Sequence, residues 1–173
     1  MDHATETGGR MARDATRPIV VGVDTSPGAR RALEWAVDEA LLRDCAVRAV
    51  VVWSVDVTSE PPWLPAEEIR QRHARELAGT IAEVSRGRAR VPEIVPVVLE
   101  SAPAAGLLEE ARGAAMLVVA RRAESCVRRA LLGSVSSACV KHATVPVVVV
   151  PPPSAGPADA EEWPAHDAGA TTG

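Results

Sequence analysis

The chain has 173 residues with four Trp and neither Phe nor Tyr, so its core has to be built from Val, Leu, Ala and Ile. Nineteen Lys and Arg against 23 Asp and Glu give a formal charge of −4, which argues against whole-surface attraction to nucleic acid. No apolar run is long enough to span a membrane, and residues 1–17 lack the apolar stretch of a secretory signal.

Residues 1–17 are polar and aperiodic and are expected to form a disordered arm. Pro18–Val23 is a β-branched apolar run, the mark of a buried strand. Asp24-Thr25-Ser26-Pro27 ends it, with Ser26 as N-cap and Pro27 at the first helical position. The helix runs to about Arg43. Ala29, Leu33, Ala36, Val37, Ala40 and Leu41 form its apolar stripe, and Trp35 packs beside them. A second strand lies within Cys45–Val55. The segment Asp56–Pro65 is too rich in proline for a helix.

Helical spacing returns from Ala66 to about Arg86 through Ile69, His73, Leu77, Ile81 and Val84. His73 reads as a core-edge residue rather than a metal ligand. Glu93–Leu99 is a third strand, and Pro96 within it marks a sheet edge. A helix opens at Ala102-Pro103. Met116–Val119 is the fourth strand. A basic stretch follows, Arg121 to Arg129, then a helix from Gly133-Ser134 to about His142, then a fifth strand, Val145–Val150. The tail from Pro151 is rich in Pro, Ala and Gly and is expected to be disordered. The alternation βαβαβαβαβ predicts an α/β fold: one domain over 18–150, a doubly wound five-stranded parallel sheet with helices on both faces.

The stretch Ala115–Val150 carries the chemistry. A strand, a loop and a Gly-Ser helix start form a phosphate site when the first-turn N–H groups and the positive dipole end face a ligand. Gly133 allows close approach, and the hydroxyls of Ser134 and Ser136 add donors. The same residues also serve as an ordinary helix cap.

The register Ala120-x2-Ala123-x9-Gly133-Ser134, with Leu131–Ser136 and Val145-Pro146-Val147-Val148-Val149, resembles the universal stress protein family. That family carries Gly-x2-Gly-x9-Gly-(Ser/Thr) here. The resemblance covers residues 18–150 and is to a UspA-like single-domain member. It implies an adenine nucleotide alpha hydrolase-like fold with strand order 3-2-1-4-5. The general alternative for such sheets is 2-1-3-4-5, and Pro96 on an edge agrees with the implied order. It further implies that Asp24 lies in a nucleotide pocket, that Val47 touches adenine, and that Gly133, Ser134, Val135 and Ser136 grip phosphate. The implied ligand is ATP with Mg²⁺. The implied assembly is a homodimer through the last strand, Val145 to Val150, whose apolar edge is otherwise exposed. Each residue has a plainer reading as well: Asp24 as an aid to capping, Val47 as a core valine, the Gly-Ser turn as a cap.

Ala120 and Ala123 depart from the pattern. A glycine there permits positive φ and lets backbone approach phosphate. Alanine in a left-handed conformation costs roughly 1–2 kcal/mol, and its methyl intrudes on a closely held phosphate. Two such changes predict an affinity loss of about tens- to hundreds-fold, hence no firmly held cofactor. Arg121, Arg122, Arg128 and Arg129 lie within nine residues and either contact an anion or form a solvated loop. Cys126 sits among them, where arginines lower a thiol pKa.

The widely spaced Cys45, Cys126 and Cys139 fit a reduced cytoplasm. The expectation is a non-catalytic stress-response or dormancy regulator with a degenerate ATP motif. The alternative is an adenine-nucleotide switch with weak or no hydrolysis. Neither a catalytic base nor a metal-binding carboxylate pair stands beside the phosphate loop. A phosphoacceptor receiver is excluded, lacking the acidic pair after strand one and the Lys near strand five. Flavin binding is excluded by the short loop after strand one and the few aromatics. An unidentified protein partner remains open, while no nucleic acid, membrane or metal is expected.

Overall fold

The computed structural model describes residues 17–24, 26–54, 65–121 and 133–152. Both terminal arms, apart from their innermost residues, lie outside that set, as do the Pro-rich segment and most of the Arg-rich loop. The elements are β1 (Ile19–Gly22), α1 (Pro27–Arg43), β2 (Val47–Trp53), α2 (Ala66–Ser85), β3 (Ile94–Glu100), α3 (Pro103–Glu110), β4 (Met116–Ala120), α4 (Ser134–His142) and β5 (Val147–Val150). The strands form one sheet in the order β3-β2-β1-β4-β5, every pair parallel.

Proline sets two strand boundaries. Neither Pro18 nor Pro146 has an N–H for the ladder, so each contributes only its carbonyl, accepting from Ala115 and Leu117 at 2.9 Å. The strands therefore begin one residue later, at Ile19 and Val147. Pro96 sits in β3, the edge strand, where its missing donor faces no neighbour.

The central strand explains the run of branched residues. Ile19, Val20 and Val21 are all fully buried, because helices cover both faces. Ile19 and Val21 join a layer with α1 and α2, and Val20 joins one with α3 and α4. In α1 the residues facing the sheet are mostly small: Ala29, Ala32, Ala36 and Ala40 are at most 1% exposed, with Leu33 and Val37 filling the gaps between them. Ser26 Oγ accepts the Ala29 N–H at 3.2 Å and Pro27 opens the helix, as its sequence predicts. Trp35 is half-buried against the same layer.

Connections from β1 lead to β2 on one side, while β4 lies on the other. The strand order thus reverses between β1 and β4. Ligands of open α/β sheets bind beyond the strand C-termini at such a point.

Candidate functional site

Asp24 follows β1 at this switch point. The exit of β1 is held by the Val23 N–H, which donates to the Val50 carbonyl at 2.8 Å. Asp24 Oδ1 accepts the Ser26 N–H at 2.9 Å, which places a carboxylate at the positive end of α1. The same residue lines a cavity of about 160 Å³, together with Val51, Val52, His73, Glu76, Leu77 and Thr80. Capping and pocket lining thus fall to one side chain.

At α4, Gly133 is the N-cap in extended conformation, with φ −61°. The first helical bond runs from the Ser137 N–H to the Gly133 carbonyl at 2.9 Å. The amides of Ser134, Val135 and Ser136 precede it and have no acceptor within the helix. Ser134 is exposed. Ser136 is 4% exposed, and its hydroxyl donates to the Ala120 carbonyl at 3.1 Å. That proton is committed to tying α4 to the end of β4, which corrects the view of Ser136 as a free phosphate donor. Ser136→Ala orphans the carbonyl and is expected to lower unfolding free energy by about 1–2 kcal/mol, read from urea denaturation.

Ala120 also departs from expectation. It is the last residue of β4, paired with Val150, and the next N–H, that of Arg121, still bonds the Val150 carbonyl at 2.8 Å. The strand therefore runs through position 120. Among the described non-glycine residues only Asp44 has positive φ, so the left-handed strain expected at Ala120 is absent. Its methyl is turned toward α1, 3.4 Å from where a Cβ on Gly28 would stand. Ala123, Arg122, Arg128, Arg129 and Cys126 lie outside the described residues.

Val47 does not join the site. It is the first residue of β2, pairs with Ile19 and Ile94, and is fully buried. Val51 and Val52 beside Asp24 are roughly 13–17 Å further along the strand, at 3.2–3.4 Å per residue. The adenine contact implied for Val47 is therefore corrected: it is a core valine at the wrong end of the sheet. A larger groove of about 630 Å³ opens at that end, around Cys45, Val47 and Arg48. It meets the C-terminal end of α1, whose dipole disfavours anions.

Sequence reasoning missed the α2 side of the cavity. His73 Nδ1 lies 3.6 Å from Glu76 Oε2, the carboxylate three residues on. The imidazole stacks on Trp53 with centroids 6.3 Å apart and planes at 25°. His73 Nε2 and Trp53 Nε1 are buried without hydrogen-bond partners. The available signal was the His-x-x-Glu spacing on an otherwise apolar face.

A family model described as Universal stress protein family matches residues 15–151. A universal stress protein of Mycolicibacterium smegmatis is 39% identical over 146 residues, covering 83% of this chain and 48% of that protein. One from Mycobacterium tuberculosis strain H37Rv is 32% identical over 157 residues, covering 81% and 50%. The chain thus spans about half the length of the curated relatives it matches. Among solved structures, a universal stress protein in complex with cAMP has a TM-score of 0.58 at 21% identity, covering 79% of this chain and 98% of that one. The protein from Archaeoglobus fulgidus in complex with dAMP has a TM-score of 0.54 at 24% identity, covering 79% and 98%. These two likenesses are of fold, and the sheet order agrees with them. With the family pattern matched from the first strand to the last, the chain belongs to the universal stress protein family.

Proposed function

We propose that this chain is a non-catalytic stress-response regulator that holds an adenine nucleotide at the sheet's switch point, with a weakened grip on the outer phosphates. The observation that carries the reading is an unbroken path of contacts from the cavity to α4. Asp24 lines the cavity and bonds Ser26; Gly28 on the same helix abuts Ala120; the Ala120 carbonyl holds Ser136 in the first turn of α4. A nucleotide laid along this path meets apolar and carboxylate groups at its base and backbone N–H groups at its phosphate. The cAMP and dAMP complexes of two structural neighbours support a monophosphate ligand. The weakened grip is supported by the engaged Ser136 hydroxyl and by alanine at position 123, where the family pattern has glycine. The non-catalytic role is supported by the serines and alanines at the phosphate end, none of which is a general base. Free thiols at Cys45 and Cys139 support a cytoplasmic setting, and no described helix is long and apolar enough to cross a membrane.

Calorimetry with AMP and with ATP and Mg²⁺ tests the reading. The wild type is expected to bind AMP measurably and ATP no more tightly. Ala120→Gly alone is expected to change little, since position 120 is unstrained. The Ala120→Gly/Ala123→Gly double variant is expected to gain about tenfold or more for ATP, about 1.4 kcal/mol per tenfold. Wild-type ATP binding tenfold tighter than AMP would sink the weakened grip, and silence toward both would sink the nucleotide reading.

We also propose a homodimer through β5. This strand is an open sheet edge, and Val147, Val148 and Val149 are only half-buried in the single chain. Relatives of about twice the length suggest what a second copy would supply. The Pro146 and Val150 carbonyls face β4, so by alternation the Val149 N–H faces outward. Val149→Pro removes that donor and is expected to shift the mass seen by light scattering from dimer to monomer. An unchanged mass, either monomeric or dimeric in both proteins, would exclude this edge.

A further inference from the structure

The groove of about 630 Å³ at the N-terminal end of the sheet lies at the opposite end from Asp24. Leu41, Val91 and Val95 give it an apolar wall, and Val91 and Val95 are each 39% exposed. Its charges do not cancel. Arg48 Nη1 is paired with Glu110 Oε2 at 2.9 Å, which leaves Asp44 and Glu93 against Arg90. Neither Asp44 nor Glu93 has an ion-pair partner among the described residues. Asp44 caps the C-terminus of α1, so the negative end of that helix's dipole adds to the carboxylates. The groove therefore suits a segment that is both cationic and apolar.

Such a segment is joined to it. The chain enters the fold at Pro18, itself a wall residue, next to the exposed Arg17. Residues 10–17 set Arg10, Arg13 and Arg17 against Asp14, with Met11 and Ala12 between. The seven residues from Met11 to Arg17 reach at most about 23–25 Å. From β1 to β3 is two strand spacings, about 10 Å, so this stretch is long enough to cross the groove.

We propose that residues 10–16 dock in this groove, with Arg10 and Arg13 toward Asp44 and Glu93 and Met11 over Val91 and Val95. Exposed ion pairs are individually weak, but the tether holds these at an effective concentration of about millimolar. Docking also covers apolar surface that would otherwise invite association with other chains.

Maleimide labelling of the full chain carrying Val91→Cys tests this, with peptide mass analysis to separate position 91 from the native cysteines. Leu42→Cys is the control, because Leu42 is 83% exposed and is not a wall residue. Arg10→Glu/Arg13→Glu is expected to speed labelling at position 91 about threefold or more, with little change at position 42. Adding Glu93→Arg is expected to restore the slow rate. This swap leaves the sheet intact, because the Glu93 backbone carbonyl, not its side chain, accepts the Val47 N–H at 2.8 Å. An unchanged rate at position 91, an equal rise at both positions, or no rescue by Glu93→Arg overturns the proposal. So does labelling at position 91 that quickens on dilution as the mass by light scattering falls, since a second copy would then be the cover.

Discussion

Asp24→Ala is expected to weaken AMP binding about tenfold to a hundredfold while costing only about 1 kcal/mol of stability. The affinity figure corresponds to the loss of a hydrogen bond to a charged group, about 1.5–3 kcal/mol. The stability figure is small because the carboxylate is exposed and its bond to the Ser26 N–H is replaceable by water. Ser26→Ala supplies the contrast. Its hydroxyl caps α1 at Ala29 and is not part of the cavity wall, so its loss is expected to cost about 1 kcal/mol of stability with little change in AMP affinity. Calorimetry and urea unfolding of the two variants separate ligand contact from capping. If Asp24→Ala bound AMP like the wild type, Asp24 would be only a helix-capping residue.

The largest effect on stability is expected from Leu33→Ala, about 2–5 kcal/mol by urea unfolding. Leu33 is fully buried in α1, which touches β1, β2, β4, β5 and α2. Its neighbours on that face are mostly alanines, which have no atoms to extend into the space left behind. Removing its branched end therefore leaves a cavity that the surroundings cannot close, and the cost exceeds simple transfer. The first turn of α1, with Gly28 against Ala120, is a turn away, so AMP affinity per folded molecule is expected to hold. A loss under about 1 kcal/mol would show that the layer collapses to fill the gap.

The expectations that rested on backbone chemistry were legible in the chain. Ser26 and Pro27 open α1 because a hydroxyl and a fixed φ suit a helix start in any protein. Pro96 lies on an edge because no central strand accommodates a missing donor. The expectations that failed depended on where a strand starts and stops relative to its neighbours. The family resemblance implies an adenine contact for Val47, but the pairing with Ile19 puts it at the N-terminal end of the sheet. Ala120 was expected to be strained because the pattern has glycine there. The Arg121–Val150 bond instead keeps the backbone extended through that position.

By itself, the sequence determined the family, the alternation of elements and the apolar stripe of α1, because periodicity and turn chemistry act over a few neighbouring residues. Only the tertiary structure decided which side chains share the switch point. Val51, Val52, His73 and Thr80 are distant from Asp24 in sequence, and parallel crossovers bring them to one rim. The structure also decided that the Ser136 proton belongs to Ala120, and that His73 is held by Trp53 and Glu76 with one nitrogen unpaired. Those outcomes depend on register and helix placement, which are set by how whole layers fill space and not by any local pattern.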